Sequence, residues 1–324
     1  MSDAEKVYRI LAIDGGGMKG LFPASFLATI EDSIGDSVSN YFDLIVGTST
    51  GGIIALGLGA GLPAGEIADF YESIGPPVFG KPRNRLARIF ASKYQSKPLR
   101  TALESVIGAK KLGDSKARLV IPSVDLDTGE VYIYKTAHLD RFERDHKVSM
   151  IDVALAATAA PSYFPAHSRE DGVLLVDGGV WANNPVGLAA VEAVGVLGWE
   201  PERVRILSLG CTRVALDAGK ARRLSGLLAW GQSLTIINVI FAAQSSASIG
   251  TAQHLVGHQN VMRIDPVVPA GRYDLDKTTE VRALRALGAS QAREALPGLR
   301  PAFFAMGHVE PFQPYRMLEP ASAP

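Results

Sequence analysis

Apolar and polar positions alternate along this chain in blocks. Short apolar runs at 7–13, 41–46, 118–124, 131–134, Leu174–Asp177 and 203–209 read as strands, most of them too uniformly apolar to leave one face in water. Segments of helical character separate them: Leu21–Ile34, 50–60, 63–73, 150–160 and 186–197. Pro63 suits the first turn of its helix, and Pro161 stops the small-residue helix before it. A turn-rich link, Asp125-Leu126-Asp127-Thr128-Gly129-Glu130, joins two of the strands. Strands alternating with helices predict an α/β fold with a mainly parallel central sheet covered on both faces. The stretch 224–262 carries no Asp, Glu, Lys or Arg and reads as core helices packed on nearly all sides, with a lipid-facing or subunit-facing cap as the alternative. Its Gln232, Asn238, Gln244, Gln253 and His254 exclude a lipid span.

Composition narrows the class. A chain of 324 residues with 47% apolar and 20% charged residues can bury a large core. We expect a single domain over 1–324, with the motif-bearing core at about 7–210, a helical part at about 211–310 and a mobile tail at 311–324. Lys plus Arg equal Asp plus Glu at 33 each, which removes the global field that a nucleic-acid polymer would require. The one cysteine, Cys211, ends an apolar run and reads as a buried filler; it forms no internal disulfide, which fits a reducing, cytoplasmic setting. The polar start of the chain carries no export signal.

The chemistry concentrates in three turns. Asp14-Gly15-Gly16-Gly17-Met18-Lys19-Gly20 follows the first strand and can present backbone N–H groups to an anion. Gly47-Thr48-Ser49-Thr50-Gly51 follows the second strand and can lift one serine hydroxyl out of a tight strand-to-helix turn. An oxyanion site beside an exposed nucleophile is the minimum equipment for acyl transfer. Gly15, Gly17 and Gly20 also satisfy the dinucleotide-binding spacing, so an oxidoreductase is the rival reading, but no acidic residue ends a second strand at the required distance and Ser49 is left unexplained. For the base, His254, His258 and His308 come after Ser49 as a conventional triad demands, yet none sits in an obvious strand-end loop. Asp177 is the stronger candidate: it ends an apolar strand, two glycines follow it, and a partly desolvated carboxylate is a competent base. No metal-ligand spacing is present.

Together the glycine turn, the Gly47–Gly51 turn and Asp177-Gly178-Gly179 resemble the signature set of patatin-like phospholipases, and 157–164 resembles the segment preceding that family's aspartate. The resemblance spans about 7–210, in the family's order. It implies a three-layer α/β/α fold and a Ser49–Asp177 dyad. It also implies an oxyanion loop at Gly15, Gly16 and Gly17, with no calcium, cofactor or catalytic histidine. Lys19 stands where the family carries a basic residue, and Asp-Gly-Gly replaces the commoner Asp-Gly-Ala.

A basic segment completes the inventory. Lys81, Arg83, Arg85, Arg88, Lys93, Lys97 and Arg100 occur with no acid between Glu72 and Glu104. This is either a solvated face or a contact for anionic headgroups or a small anion, with Lys19, Arg83, Arg85 and Arg88 the nominated residues. The chain is similar to the phospholipase effectors of cyclic-oligonucleotide antiphage systems. That similarity implies a cyclic dinucleotide activator such as cGAMP, a phospholipid membrane as substrate with peripheral association, and a nucleotide site on the domain itself or at a homodimer interface.

Overall fold

The structure is a computed structural model and describes residues 6–80, 82–84, 91–215 and 235–316. The first half of the chain runs β1 (Tyr8–Ile13), α1 (Leu21–Ile34), β2 (Leu44–Gly47), α2 (Thr50–Gly59), α3 (Ala64–Ile74), α4 (Ser96–Ile107), β3 (Leu119–Asp125) and β4 (Val131–Lys135). Then follow α5 (Met150–Ala157), β5 (His167–Ser168), β6 (Leu174–Asp177), α6 (Gly179–Ala182), α7 (Val186–Val191), β7 (Val204–Leu209) and β8 (Arg213–Val214). The last are α8 (Thr235–Val256), β9 (Val261–Ile264), β10 (Val267–Val268) and α9 (Val281–Leu299).

Strands β3, β2, β1, β7 and β9 are neighbours in that order and all parallel. Their apolar runs are buried on both faces with period two. In β1, Leu11 and Ile13 face the larger core under α1 to α5 and α9, while Ile10 and Ala12 face a second core under α7 and α8. The mainly parallel α/β sheet expected from the sequence is therefore present, with helices on both sides. Register brings the strand ends level: Ile13 pairs with Gly47 and with Leu209, and Leu209 with Ile264. The turns after β1, β2, β7 and β9 thus open on one edge of the sheet, beside the point where strand order reverses.

The far side of β3 explains where β6 ends. Strand β4 pairs along β3 from Val120 to Val124, so it fills one edge of that strand. On the other edge β2 uses only Leu119 and Val120, and β6 takes Ser123 to Asp125 in the antiparallel sense. Strands β2 and β6 meet end to end on the same edge, which brings the turn after Gly47 to Asp177, the partner of Ser123.

Several expectations shift in detail. The second strand starts at Leu44, because 38–41 forms a helical turn and the Asp43 carboxylate turns back to accept the Arg9 N–H. Helix α5 ends at Ala157, where Thr158 bonds the Ala154 carbonyl with its hydroxyl and its N–H. Helix α4, in the basic stretch, was hidden by its charge; Leu99, Leu103 and Ile107 are its buried stripe. The part after Cys211, expected to be helical, also supplies β8, β9 and β10. Within 224–262, packing on nearly all sides does not hold over the described part of α8. Only Ala252 and Val256 are fully buried there, because the helix rests on α7 along one side.

Candidate active site

Ser49 sits between β2 and α2 with φ 54° and ψ −121°, a strained conformation for a residue with a side chain. The fold imposes it. Thr48 donates its N–H to the Ile13 carbonyl and its hydroxyl to the Ala182 carbonyl, which fixes the turn from both sides. A Cβ on Gly47 would lie 2.1 Å from the Gly51 carbonyl oxygen, and one on Gly51 would lie 2.3 Å from that of Ile13. Glycine at both places lets the turn close this tightly.

The Ser49 hydroxyl donates to Asp177 Oδ2 at 2.6 Å. The other oxygen, Oδ1, accepts the Gly179 N–H at 2.7 Å. No cation reaches this carboxylate among the described residues. Burial pushes it up to about 6, opposed only by those two hydrogen bonds. Its backbone N–H is held by the Ala159 carbonyl, so the segment 157–164 seats the aspartate. The serine is thus paired to a desolvated acid whose proton affinity has been moved toward neutrality.

The glycine turn lies against the same pair. A Cβ on Gly15 would lie 3.1 Å from Ser49 Cβ. Gly15 donates its own N–H to the Asn183 carbonyl at 2.9 Å, and Met18 donates to the Leu275 carbonyl at 2.7 Å. The N–H groups of Gly16 and Gly17 meet no acceptor among the described residues. Gly17 has φ 57°, and a Cβ there would lie 2.2 Å from the Leu275 carbonyl oxygen. Behind the turn, Asp14 is buried and gripped by Arg263, with Nη1 to Oδ1 at 2.7 Å and Nη2 to Oδ2 at 2.5 Å. Arg263 also donates to Ser208 Oγ at 2.7 Å and to Asp265 Oδ2 at 3.0 Å. Strands β7 and β9 hold the first residue of the turn in place. Sequence reasoning passed over Arg263; the signal was a charged residue inside an apolar strand, the first after the charge-free stretch.

The other nominated groups that are described make no hydrogen bond or ion pair with the dyad. Lys19 donates its ammonium to the Thr212 carbonyl at 3.2 Å. Arg83 is taken up by Ser92, through both its carbonyl and its hydroxyl. Arg85 and Arg88 lie outside the described residues. Lys93 is ion-paired with Asp276, and Arg100 with Asp152 at 2.7 Å. His308 pairs with Asp36 at 2.5 Å, and His254 and His258 flank the end of α8 at the opposite edge of the sheet.

A patatin-like phospholipase family model matches residues 11–190. A cGAMP-activated phospholipase from Pseudomonas aeruginosa is 34% identical over 284 residues, 86% of this chain and 82% of that one. One from Vibrio cholerae is 37% identical over 296 residues, 81% and 82% of the two chains. Patatin-like protein 2 of Oryza sativa is 29% identical over 288 residues, 74% and 71%. The chain belongs to the patatin-like phospholipase family. It is a lipid acyl hydrolase, and the oxidoreductase reading of the glycine turn falls away.

Proposed function

We propose that this protein cleaves the acyl esters of membrane phospholipids through a Ser49–Asp177 dyad, and that a cyclic dinucleotide switches it on as part of bacterial antiphage defence. The 2.6 Å bond from a strained serine to a buried, cation-free carboxylate carries the first half. Asp177 takes the Ser49 proton as Oγ attacks the ester carbonyl. The N–H groups of Gly16 and Gly17 receive the oxyanion, while Gly15 spends its own on Asn183 and so fixes the loop. Removing one such donor in a hydrolase costs about 2.7–4 kcal/mol of transition-state stabilisation. Collapse passes the proton from Asp177 to the departing ester oxygen, expels a lysophospholipid and leaves an acyl-serine. Asp177, again ionised, then takes a proton from water as it attacks the acyl-serine, and returns that proton to Ser49 Oγ as the fatty acid is released.

The second half rests on the two bacterial relatives named as cGAMP-activated, each aligned over more than four fifths of both chains. A nucleotide phosphate would find cationic partners in Lys19 and in the stretch that carries Arg83, Arg85 and Arg88. The experiment is fatty-acid release from mixed phospholipid vesicles, followed by mass spectrometry with and without a panel of cyclic dinucleotides, with Ser49→Ala as blank. Release only with one nucleotide is the expected result. Release without any makes the protein a constitutive lipase, and nucleotide-independent silence on every phospholipid removes the substrate assignment.

A further inference from the structure

Among the described residues, most of the large apolar side chains that the fold leaves in water gather at one end of the sheet. The parallel strands end at Ile13, Gly47, Leu209 and Ile264, and the dyad lies just past them. Beyond the same edge stand Val180 and Trp181 in α6, Val214 in β8 and Val267 in β10, the last two on short strands that pair with each other. Helix α8 runs antiparallel to β9, so its first half rises over this edge. Its Gln244 donates to the Val180 carbonyl at 2.8 Å, and Ile240 lies one turn farther out. These five residues keep 41–52% of their surface exposed.

A second apolar group, Leu126, Val131 and Leu174, stands at the same end but farther along the sheet. Charge separates the two. The second group shares its hairpin with Asp125, Asp127 and Glu130, an acidic turn that an anionic lipid surface would repel. The first group borders a helix without a charged residue. Beside it Arg213, on β8, has no acidic partner among the described residues. An exposed tryptophan with aliphatic neighbours and an arginine at the rim is the composition that settles at the boundary of headgroups and acyl chains.

We propose that Val180, Trp181, Val214, Ile240 and Val267 form the face that seats this protein on a phospholipid bilayer, with the Ser49 mouth turned into the headgroup layer. This rests on the phospholipase reading above, because only a lipid substrate gives the exposed rim a reason to surround the site. A lipid lifted by its acyl chains past this rim would present its ester to Ser49 without leaving an apolar surface for long.

The test separates docking from catalysis. Protein carrying Ser49→Ala is floated with vesicles of phosphatidylglycerol and phosphatidylethanolamine, in the presence of the same cyclic dinucleotides. Ile240→Asp with Val267→Asp should lower the bound fraction about tenfold or more. Leu126→Asp with Val131→Asp on the acidic hairpin should leave it unchanged. In the Ser49 background the Ile240→Asp and Val267→Asp pair should hydrolyse a water-soluble short-chain ester at the parental rate, which excludes a folding defect. As a variant that keeps the surface apolar, Ile240→Cys labelled with an environment-sensitive fluorophore should shift to the blue on vesicles, since buried Cys211 will not compete for the label. Unchanged flotation of the Ile240→Asp and Val267→Asp pair, greater loss from the hairpin pair, or no vesicle binding by the parent would overturn the proposal. Fatty-acid release from detergent-dispersed phospholipid judges the phospholipase reading independently of all three.

Discussion

Two aspartates lie buried at the carboxyl edge of this sheet, Asp14 after β1 and Asp177 at the end of β6, and the fold treats them in opposite ways. Asp14 meets a guanidinium on both oxygens, and that guanidinium is tied in turn to Ser208 and Asp265. Asp177 meets one hydroxyl and one N–H, both neutral. Burial pushes each up to about 6, at Asp14 against the Arg263 charge and at Asp177 against two neutral hydrogen bonds alone, so the two differ in their partners and not in the size of the shift. Compensated, a buried carboxylate is an anchor. Uncompensated, it is a base. The difference assigns Asp14 to holding the glycine turn and Asp177 to proton transfer.

The most severe way to break that division is to remove the reacting pair. Ser49→Ala and Asp177→Asn should each lower phospholipid hydrolysis about 10⁴-fold, while circular dichroism stays as in the parent. Single His254→Ala and His308→Ala variants should retain activity, because both side chains stand away from the dyad. Loss of activity in a histidine variant with survival in Asp177→Asn would return the base to a conventional triad.

Cutting the anchor tests the other member. Arg263→Met leaves Asp14 buried without its counter-ion, a class of change that costs about 3–5 kcal/mol of stability. Denaturant unfolding should show that loss, and kcat should fall with KM little altered, since the glycine turn is loosened. Arg263→Lys should recover stability in part and kcat less, because one ammonium cannot reproduce the two-point grip. Equal stability in Arg263→Met and the parent would mean that Asp14 takes a proton and needs no partner.

How much of this was legible in the sequence follows the same line. Ser49 and Asp177 announce themselves because their turns need local glycines at fixed spacing, Gly47 and Gly51 around one, Gly178 and Gly179 after the other. The α/β alternation was legible because strands buried on both faces must be uniformly apolar. The clamp was not, since Asp14 and Arg263 are 249 residues apart and only the register of β1, β7 and β9 brings them together. Nor was the fate of the Gly15 N–H, which depends on where the Asn183 carbonyl falls. Helix α8 misled for a related reason: absence of charge reads as burial, yet Ile240, Ala242 and Ala243 face water.

The uncompensated charge carries its own signature in stability. With its folded value raised to about 6, Asp177 holds a proton more tightly in the folded chain than in the unfolded one. Its ionisation therefore weakens the fold, and that penalty is fully present above about 6 and disappears as pH falls toward the ordinary carboxylate range. At pH 8, Asp177→Asn should be more stable than the parent by about 3 kcal/mol, and the gain should shrink as the pH drops below 6. Activity of the parent should fall on the same acid limb, since the proton occupies the base. A stabilisation independent of pH would show that Asp177 is compensated after all.

The smallest expected effect probes how closely the anchor and the oxyanion turn are coupled. Gly16 has an extended φ of 178°, so a methyl group there meets no backbone strain of its own. It meets Cys211, with a Cβ only 2.4 Å from the cysteine Cβ and 2.8 Å from Sγ. Cys211 in turn leans on the Asp14 carbonyl, 3.4 Å from its sulfur. Gly16→Ala should therefore push the turn off its seat and lower kcat about tenfold, a loss of about 1.4 kcal/mol. Cys211→Gly removes the colliding atoms and should return part of that loss, although by itself it opens a small void. A double-mutant cycle on kcat should show a coupling of about 1 kcal/mol between the two positions. Equal losses from Gly16→Ala in both backgrounds would place the obstruction at the substrate, inside the oxyanion site, and not at the wall that Cys211 and Asp14 build behind it.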